Sequence, residues 1–322
     1  MSVTSMPPDD AYSQLERLLG AIAGRPEAAE LYYQLAEAYW RARDKLGYAH
    51  CFRRAFLLKP TTGITSSREC PDEELRERAR ALIDHGAGYA AVIAALAVAE
   101  SRLGHGAEVK YLMDYDRFVQ HAEISLPKGT SIDDFNRVLA SEIRADKSDS
   151  RFHDSPPGRA IRHAWRIELF PHPKTPALKA LLGTLRSHAA HYIGCLPHEP
   201  AHPFIRCRPA EFTMDGWAIV SNGTGYHESH IHPGVWAVGV YYVVQPEISR
   251  EAGSRRGWLR IAAPPHVAES DTQSWHSRMI EPVPGSLVLM PAYFWHETVP
   301  VGVDQERISI AFEIRPRESA VP

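Results

Sequence analysis

The segment Tyr226-His-Glu-Ser-His-Ile-His-Pro233 sets His230 and His232 two residues apart, directly before the apolar run Val235 to Val244. In an extended chain residues i and i+2 point to the same side, so both imidazoles can converge on one metal ion. A third histidine, His296, follows the run Ser286 to Met290 across Pro291-Ala-Tyr-Phe-Trp295, and farther on Arg307-Ile-Ser309 enters another apolar run. The same spacing aims Arg307 and Ser309 at one side. Three protein ligands on one face of a metal leave positions open for other ligands. An arginine supplies a planar cation that never loses its charge and can grip a carboxylate. Together these residues have the means for metal-centred chemistry on, or with, an anionic small molecule.

Each part alone has an innocent reading. The chain has 17 histidines, so an H-x-H pair by itself is a weak metal signal. An arginine in a strand is more often solvated or salt-bridged than a ligand clamp, and a histidine at a strand end is more often a surface or turn residue. The order is more specific: a pair before one strand, a single histidine after another, then R-x-S. A 2-oxoglutarate oxygenase requires that set. Iron(II) must keep room for a bidentate 2-oxo acid and dioxygen, and the distant carboxylate of the co-substrate needs a cation, with a hydroxyl nearby as a further donor.

The elements that must position these residues are short runs rich in Val, Ile, Tyr and Trp, separated by Pro and Gly. They are Trp217 to Val220, Val235 to Val244, Gly257 to Ile261, Ser286 to Met290 and Ile308 to Ile314. Such spacing predicts strands of a sandwich or barrel. The stretch Arg250 to Arg278, with its polar run Glu269 to Ser277, reads as either a lid over the site or a disordered insert.

The N-terminal half is helical in pattern. Leu31, Leu35, Ala38 and Tyr39, then Ala49, Phe52, Ala55 and Phe56, recur at helical spacing and end at Pro60, which predicts a hairpin similar to one tetratricopeptide repeat. Its Gly47 lies off the usual turn position. A second pair of helices is expected from Glu73 to His85 and from Tyr89 to Leu103, and a short helix from Ile132 to Ile143. A composition rich in Pro, Gly, Ser and Asp between Lys128 and Pro157 sets the expected division: residues 1–146 a helical, tetratricopeptide-like region, residues 147–322 the strand-rich domain. Two roles for the helices stay open: a surface for peptide binding or homodimerisation, or packing alone.

At 322 residues the chain can bury two cores. Thirty-six Lys and Arg against 39 Asp and Glu give a net charge of -3 without a long basic run, which argues against a nucleic-acid partner. Cys51, Cys70, Cys195 and Cys207 form no C-x-x-C pair, which fits a reducing cytoplasm. The residues Met1 to Asp10 lack a signal-peptide pattern, and the apolar stretch Tyr89 to Ala99 is half a membrane span, so no membrane partner is expected.

The runs HIHPGVWAVGVYYVVQP, PVPGSLVLMPAYFWHETVP and ERISIAFEIRP together resemble the 2OG-Fe(II) oxygenases found behind tetratricopeptide repeats in bacterial proteins, in their H-x-H-P subset. The resemblance spans Trp217 to Pro316, with Ala28 to Pro60 added by the repeat-like hairpin. It implies an α+β chain whose C-terminal domain is a double-stranded β-helix of the jelly-roll or cupin-like kind, a dioxygenase using Fe(II) and 2-oxoglutarate. It implies His230, His232 and His296 as the metal ligands and Arg307 with Ser309 as binders of the co-substrate carboxylate, with Asn222 and Tyr242 lining the pocket. Position 232 departs from the wider superfamily, where an acidic residue is usual. Three neutral ligands would leave the ion's charge uncompensated; Glu228 is an alternative carboxylate should His232 turn away, and His227 an alternative to either histidine should the local register differ. The implied reaction hydroxylates a C–H bond of a peptide, protein or small molecule with release of succinate and carbon dioxide. Two other readings compete: a three-histidine cupin-like dioxygenase or isomerase that does not use 2-oxoglutarate, and a non-catalytic repeat protein with a vestigial β-helix.

Overall fold

Apolar spacing in the first third of the chain folds into paired helices, seen in a computed structural model that describes residues 8–65, 70–126, 129–146, 151–153, 160–267 and 275–317. These are α1 (Pro8–Gly24), α2 (Ala29–Arg41), α3 (Lys45–Leu58), α4 (Asp72–Asp84), α5 (Ala90–Arg102), α6 (Gly106–Leu112) and the single turn α7 (Tyr115–Phe118). The hairpin α2–α3 buries Leu31, Leu35 and Ala38 against Phe52, Ala55 and Phe56. Asp44 caps α3 by accepting the Gly47 N–H at 2.8 Å. Gly47 sits where it does because a Cβ there would lie 2.6 Å from the Tyr39 ring. Arg78 of α4, buried, ties α4 to α2 through Glu37 at 2.8 Å and lies over the Trp40 ring. The alanine-rich α5 is buried on nearly every side, so its apolar composition is that of a core helix. Among the described residues no helix is long and apolar enough to cross a membrane.

The rest of the chain builds two sheets from β1 (Gln120–Glu123), β2 (Arg151–His153), β3 (Ile161–Phe170), β4 (Phe212–His227), β5 (Ala237–Val244), β6 (Leu259–Ile261), β7 (Arg278–Ile280), β8 (Ser286–Pro291), β9 (His296–Thr298) and β10 (Val303–Pro316). Helices α8 (Ile132–Ala145), α9 (Pro176–Cys195) and α10 (Pro203–Arg206) interrupt them. The larger sheet runs β1-β8-β5-β10-β4-β3-β2 and the smaller β7-β6-β9, each antiparallel throughout. Alternation divides the larger sheet into two faces. Ile308, Ile310, Phe312 and Ile314 of β10 are fully buried on one. That is the face of Tyr241, which pairs with Ile310 and whose hydroxyl donates to Asn136 of α8 at 2.6 Å. The other face carries Arg307, Ser309, Ala311 and Glu313 and lines a cavity that the smaller sheet closes with Leu259 and Thr298.

The strand-rich runs form strands as expected, β4 extending well beyond Trp217 to Val220 in both directions. The division expected at residue 146 falls between α8 and β2. Strand β1 is the edge partner of β8, and the apolar side of α8 (Phe135, Leu139, Ala140, Ile143) is buried in a core continuous from Leu18 to Ile314. Helical and strand-rich layers therefore meet before β1, without a break in packing. Within Arg250 to Arg278, read as a lid or a disordered insert, lies β6, while β7 begins at its last residue, and Trp275 donates to Ser101 of α5 at 2.8 Å. Positions 269–274 of its polar run, and 1–7 at the N-terminus, lie outside the described residues.

Candidate active site

The three histidines come from two segments that the backbone stitches together. His230 and His296 exchange N–H···O=C bonds at 3.0 Å in both directions, and the His232 N–H donates to the Ala292 carbonyl at 3.0 Å. The His-Pro turn is in turn held by the helical layer, where the Ala91 N–H at the start of α5 donates to the Pro233 carbonyl at 3.3 Å. On this frame the ring centroids lie 4.3 Å apart for His230 and His296, 5.1 Å for His230 and His232, and 5.4 Å for His232 and His296. One ligand nitrogen from each falls within 4.8 Å of the others.

Hydrogen bonding decides which nitrogen that is. His230 Nδ1 faces the Glu228 carbonyl at 2.7 Å, His296 Nδ1 the Phe294 carbonyl at 2.8 Å, and His232 Nδ1 the Glu313 carboxylate at 2.7 Å. Carbonyls and carboxylates only accept, so each Nδ1 carries the proton and each Nε2 keeps its lone pair for the common centre. Burial, reinforced by the neighbouring His232, pushes His230 down to about 3. Burial with His230 and His232 alongside pushes His296 well below the ordinary imidazole range. Both rings are thus neutral, the form that binds metal. Three imidazoles whose Nδ1 atoms are all tied by hydrogen bonds are a donor set suited to a divalent transition ion.

Along the same face of β10, Arg307 is 4% exposed. Its Nη1 donates to Ser309 Oγ at 3.1 Å and its Cζ lies 6.0 Å from the Tyr242 ring centroid. Burial lowers its pKa, partly offset by Tyr242, and no acidic side chain among the described residues contributes. Arg307 Nε and the Tyr242 hydroxyl are both buried without a hydrogen-bond partner among the described residues. Two orphaned donors beside an uncompensated cation mark a place for an anion. The histidines, Arg307, Ser309 and Tyr242 all line one cavity of about 620 Å³, which accommodates a small diacid with space beyond it.

The remaining sequence expectations resolve as follows. Asn222 is exposed, opposite Glu306 and one residue out of phase with the buried Ser221, so it does not line the pocket. Alternation turns it away. The Glu228 carboxylate is paired with Arg162 at 2.8 Å and does not join the cluster. His227 lines the cavity but faces Thr298 Oγ1 at 3.5 Å, outside the three-histidine set. Sequence reasoning missed Glu313, whose parity with Arg307, Ser309 and Ala311 was the available signal. Trp217 with Arg166 stacked 3.7 Å over it was also missed as part of the cavity wall.

Residues 215–313 match the family model described as "Putative 2OG-Fe(II) oxygenase". Comparison with curated proteins returns no match. Among solved structures, a Pseudomonas putida prolyl-4-hydroxylase is 19% identical with a TM-score of 0.43, over 63% of this chain and 96% of its own. HygX from Streptomyces hygroscopicus, with nickel and 2-oxoglutarate bound, is 12% identical with a TM-score of 0.39, over 64% and 86%. A Trichoplax adhaerens prolyl hydroxylase in complex with a hypoxia inducible factor peptide fragment is 16% identical with a TM-score of 0.41, over 66% and 92%. The segment that matches the 2OG-Fe(II) oxygenase model holds the histidine cluster and the buried arginine in one cavity, and iron(II) and 2-oxoglutarate are the cofactors this site fits.

Proposed function

We propose that the chain hydroxylates a C–H bond of a peptide, protein or small molecule, coupled to conversion of 2-oxoglutarate to succinate and carbon dioxide. In this reading His230, His232 and His296 hold iron(II). Arg307 and Ser309 take the distal carboxylate, with the Tyr242 hydroxyl as a further donor. Bound iron supplies the oxidising chemistry. The chain's own residues set the ring tautomers, aim the co-substrate along β10, and wall the cavity with Val238, Val240 and Leu259.

The observation that carries this reading is Arg307: a buried guanidinium with no acidic partner among the described residues, on the cavity-facing side of β10 and in the same cavity as the three histidines. A three-histidine site acting without 2-oxoglutarate leaves that cation unexplained. The cavity facing two sheets supports the finer reading of a double-stranded β-helix in the H-x-H-P subset, and the α2–α3 hairpin supports a tetratricopeptide-like unit. The four thiols, all free, support a reducing compartment such as the cytoplasm.

The test is anaerobic titration of the iron(II)-loaded protein with 2-oxoglutarate. The expected result is the weak visible charge-transfer band of a chelated 2-oxo acid, lost in His296→Ala. Iron that binds without any band on adding 2-oxoglutarate sinks this reading and leaves the cupin-like one.

A further inference from the structure

The three histidines are not backed alike. His230 and His296 give their Nδ1 protons to neutral backbone carbonyls, whereas His232 gives its proton to the carboxylate of Glu313 at 2.7 Å. Glu313 is 9% exposed and is held from its other oxygen by Arg315, whose Nε reaches Asp215 at 2.9 Å. Glu313, Arg315 and Asp215 together carry one net negative charge, and the carboxylate against the imidazole is the part of it nearest the histidine cluster. His232 is also the position at which the usual acidic ligand of the wider superfamily is missing.

We propose that Glu313 is a positioning residue that restores this missing charge at one remove. It locks His232 with Nε2 toward the ion and places a negative charge behind the ring. This rests on the reading that the three histidines hold the metal. The charge balance is simple. A divalent ion with two imidazoles and one carboxylate ligand carries a net charge of +1, and the same ion with three imidazoles and the Glu313 carboxylate behind one of them also carries +1. A carboxylate hydrogen-bonded to a ligand histidine raises its basicity and fixes its ring, so its loss weakens metal binding. The chain has thus moved the acid from the ligand position to β10, where the parity of Arg307 and Ser309 also points it into the cavity.

The test measures cobalt(II) affinity calorimetrically on the metal-free full-length protein, together with the visible ligand-field spectrum of the cobalt-loaded form. Glu313→Gln keeps the shape and removes the charge. It should weaken cobalt binding by about 10- to 100-fold and shift the spectrum, with the unfolding midpoint of the metal-free variant recorded alongside. The double variant H232D/E313Q puts the acid back on the ion and should recover affinity relative to E313Q alone. A purely structural role for Glu313 predicts no such recovery. Wild-type protein that binds cobalt while E313Q binds within two-fold of it overturns the assignment of Glu313 alone, as does an H232D/E313Q variant no better than E313Q. Wild-type protein that binds no cobalt overturns the metal site itself.

Discussion

A buried guanidinium without a counter-charge is retained in a fold only at a cost, and Arg307 is in that position. Its removal should therefore separate two quantities. Arg307→Ala is expected to weaken 2-oxoglutarate binding by about 10- to 100-fold, the scale of one charge-assisted contact, while metal affinity stays unchanged. Titration of the charge-transfer band together with metal calorimetry checks this, and equal co-substrate affinity in the variant would remove Arg307 from the site. Tyr242 gives a companion case. Its hydroxyl is buried and unsatisfied, so Tyr242→Phe should leave the metal-free protein as stable or slightly more so. It should weaken 2-oxoglutarate binding by roughly three- to ten-fold, the scale of one neutral hydrogen bond. A more stable variant with unaltered binding would place the hydroxyl away from the co-substrate. At this scale much was legible in the sequence. The i, i+2 rule is local, so the His230/His232 and Arg307/Ser309 pairs could be read directly. Asn222 failed because its face depends on the phase of a long strand that a short apolar run does not fix. Glu313 stayed hidden because its partner, His232, lies 81 residues away, and only the folded sheet brings them together.

Strands β5 and β10 meet at a contact that leaves little tolerance. A Cβ at Gly239 would lie 2.2 Å from the Phe312 ring, directly across the ladder. The ring covers the glycine, filling the space that a side chain would otherwise occupy. Gly239→Ala is therefore expected to destabilise the protein by about 1–3 kcal/mol through overpacking, read as a lowered urea midpoint. Combining it with Phe312→Leu should cost less than the sum of the two single changes. Strict additivity would show that the ring does not press on the glycine. The strands of the larger sheet that are apolar on both faces, such as β5 and β8, announced themselves in sequence. Strand β3 did not, because Arg162, Arg166 and Glu168 interrupt it where it edges the cavity and the surface. Strands of three or four residues, β1, β7 and β9, are too short to carry a period, and they are fixed by their partners.

Helical and strand-rich layers join across a seam at His202. The residue is fully buried, between the rings of Tyr111 and Phe118 at 4.8 and 4.7 Å. Its Nδ1 accepts the Phe204 N–H at 3.2 Å, so the proton is on Nε2, which donates to the Tyr111 carbonyl at 3.1 Å. Burial pushes its pKa down to about 4, against the Tyr111 carbonyl that favours the charged form. In the unfolded chain the ring takes a proton near 6.5, so as pH falls below that value the unfolded state binds the proton first and stability drops until the folded ring also titrates near 4. The full effect is on the order of 3 kcal/mol, from the size of that shift. The carboxylates Glu199 and Glu313 sit below their ordinary range, held down by Arg117 and Tyr111 in one case and, against burial, by His232 and Arg315 in the other, so their contributions fade only at lower pH. Urea midpoints of the metal-free protein should accordingly fall between pH 6.5 and 4. His202→Asn should lower stability at pH 7 by about 1–3 kcal/mol, because the Tyr111 carbonyl loses its donor, and should flatten the decline between pH 6.5 and 4. The buried cluster histidines will leave a residual slope in both proteins. An unchanged slope in the variant would mean that the seam does not sense acid through His202.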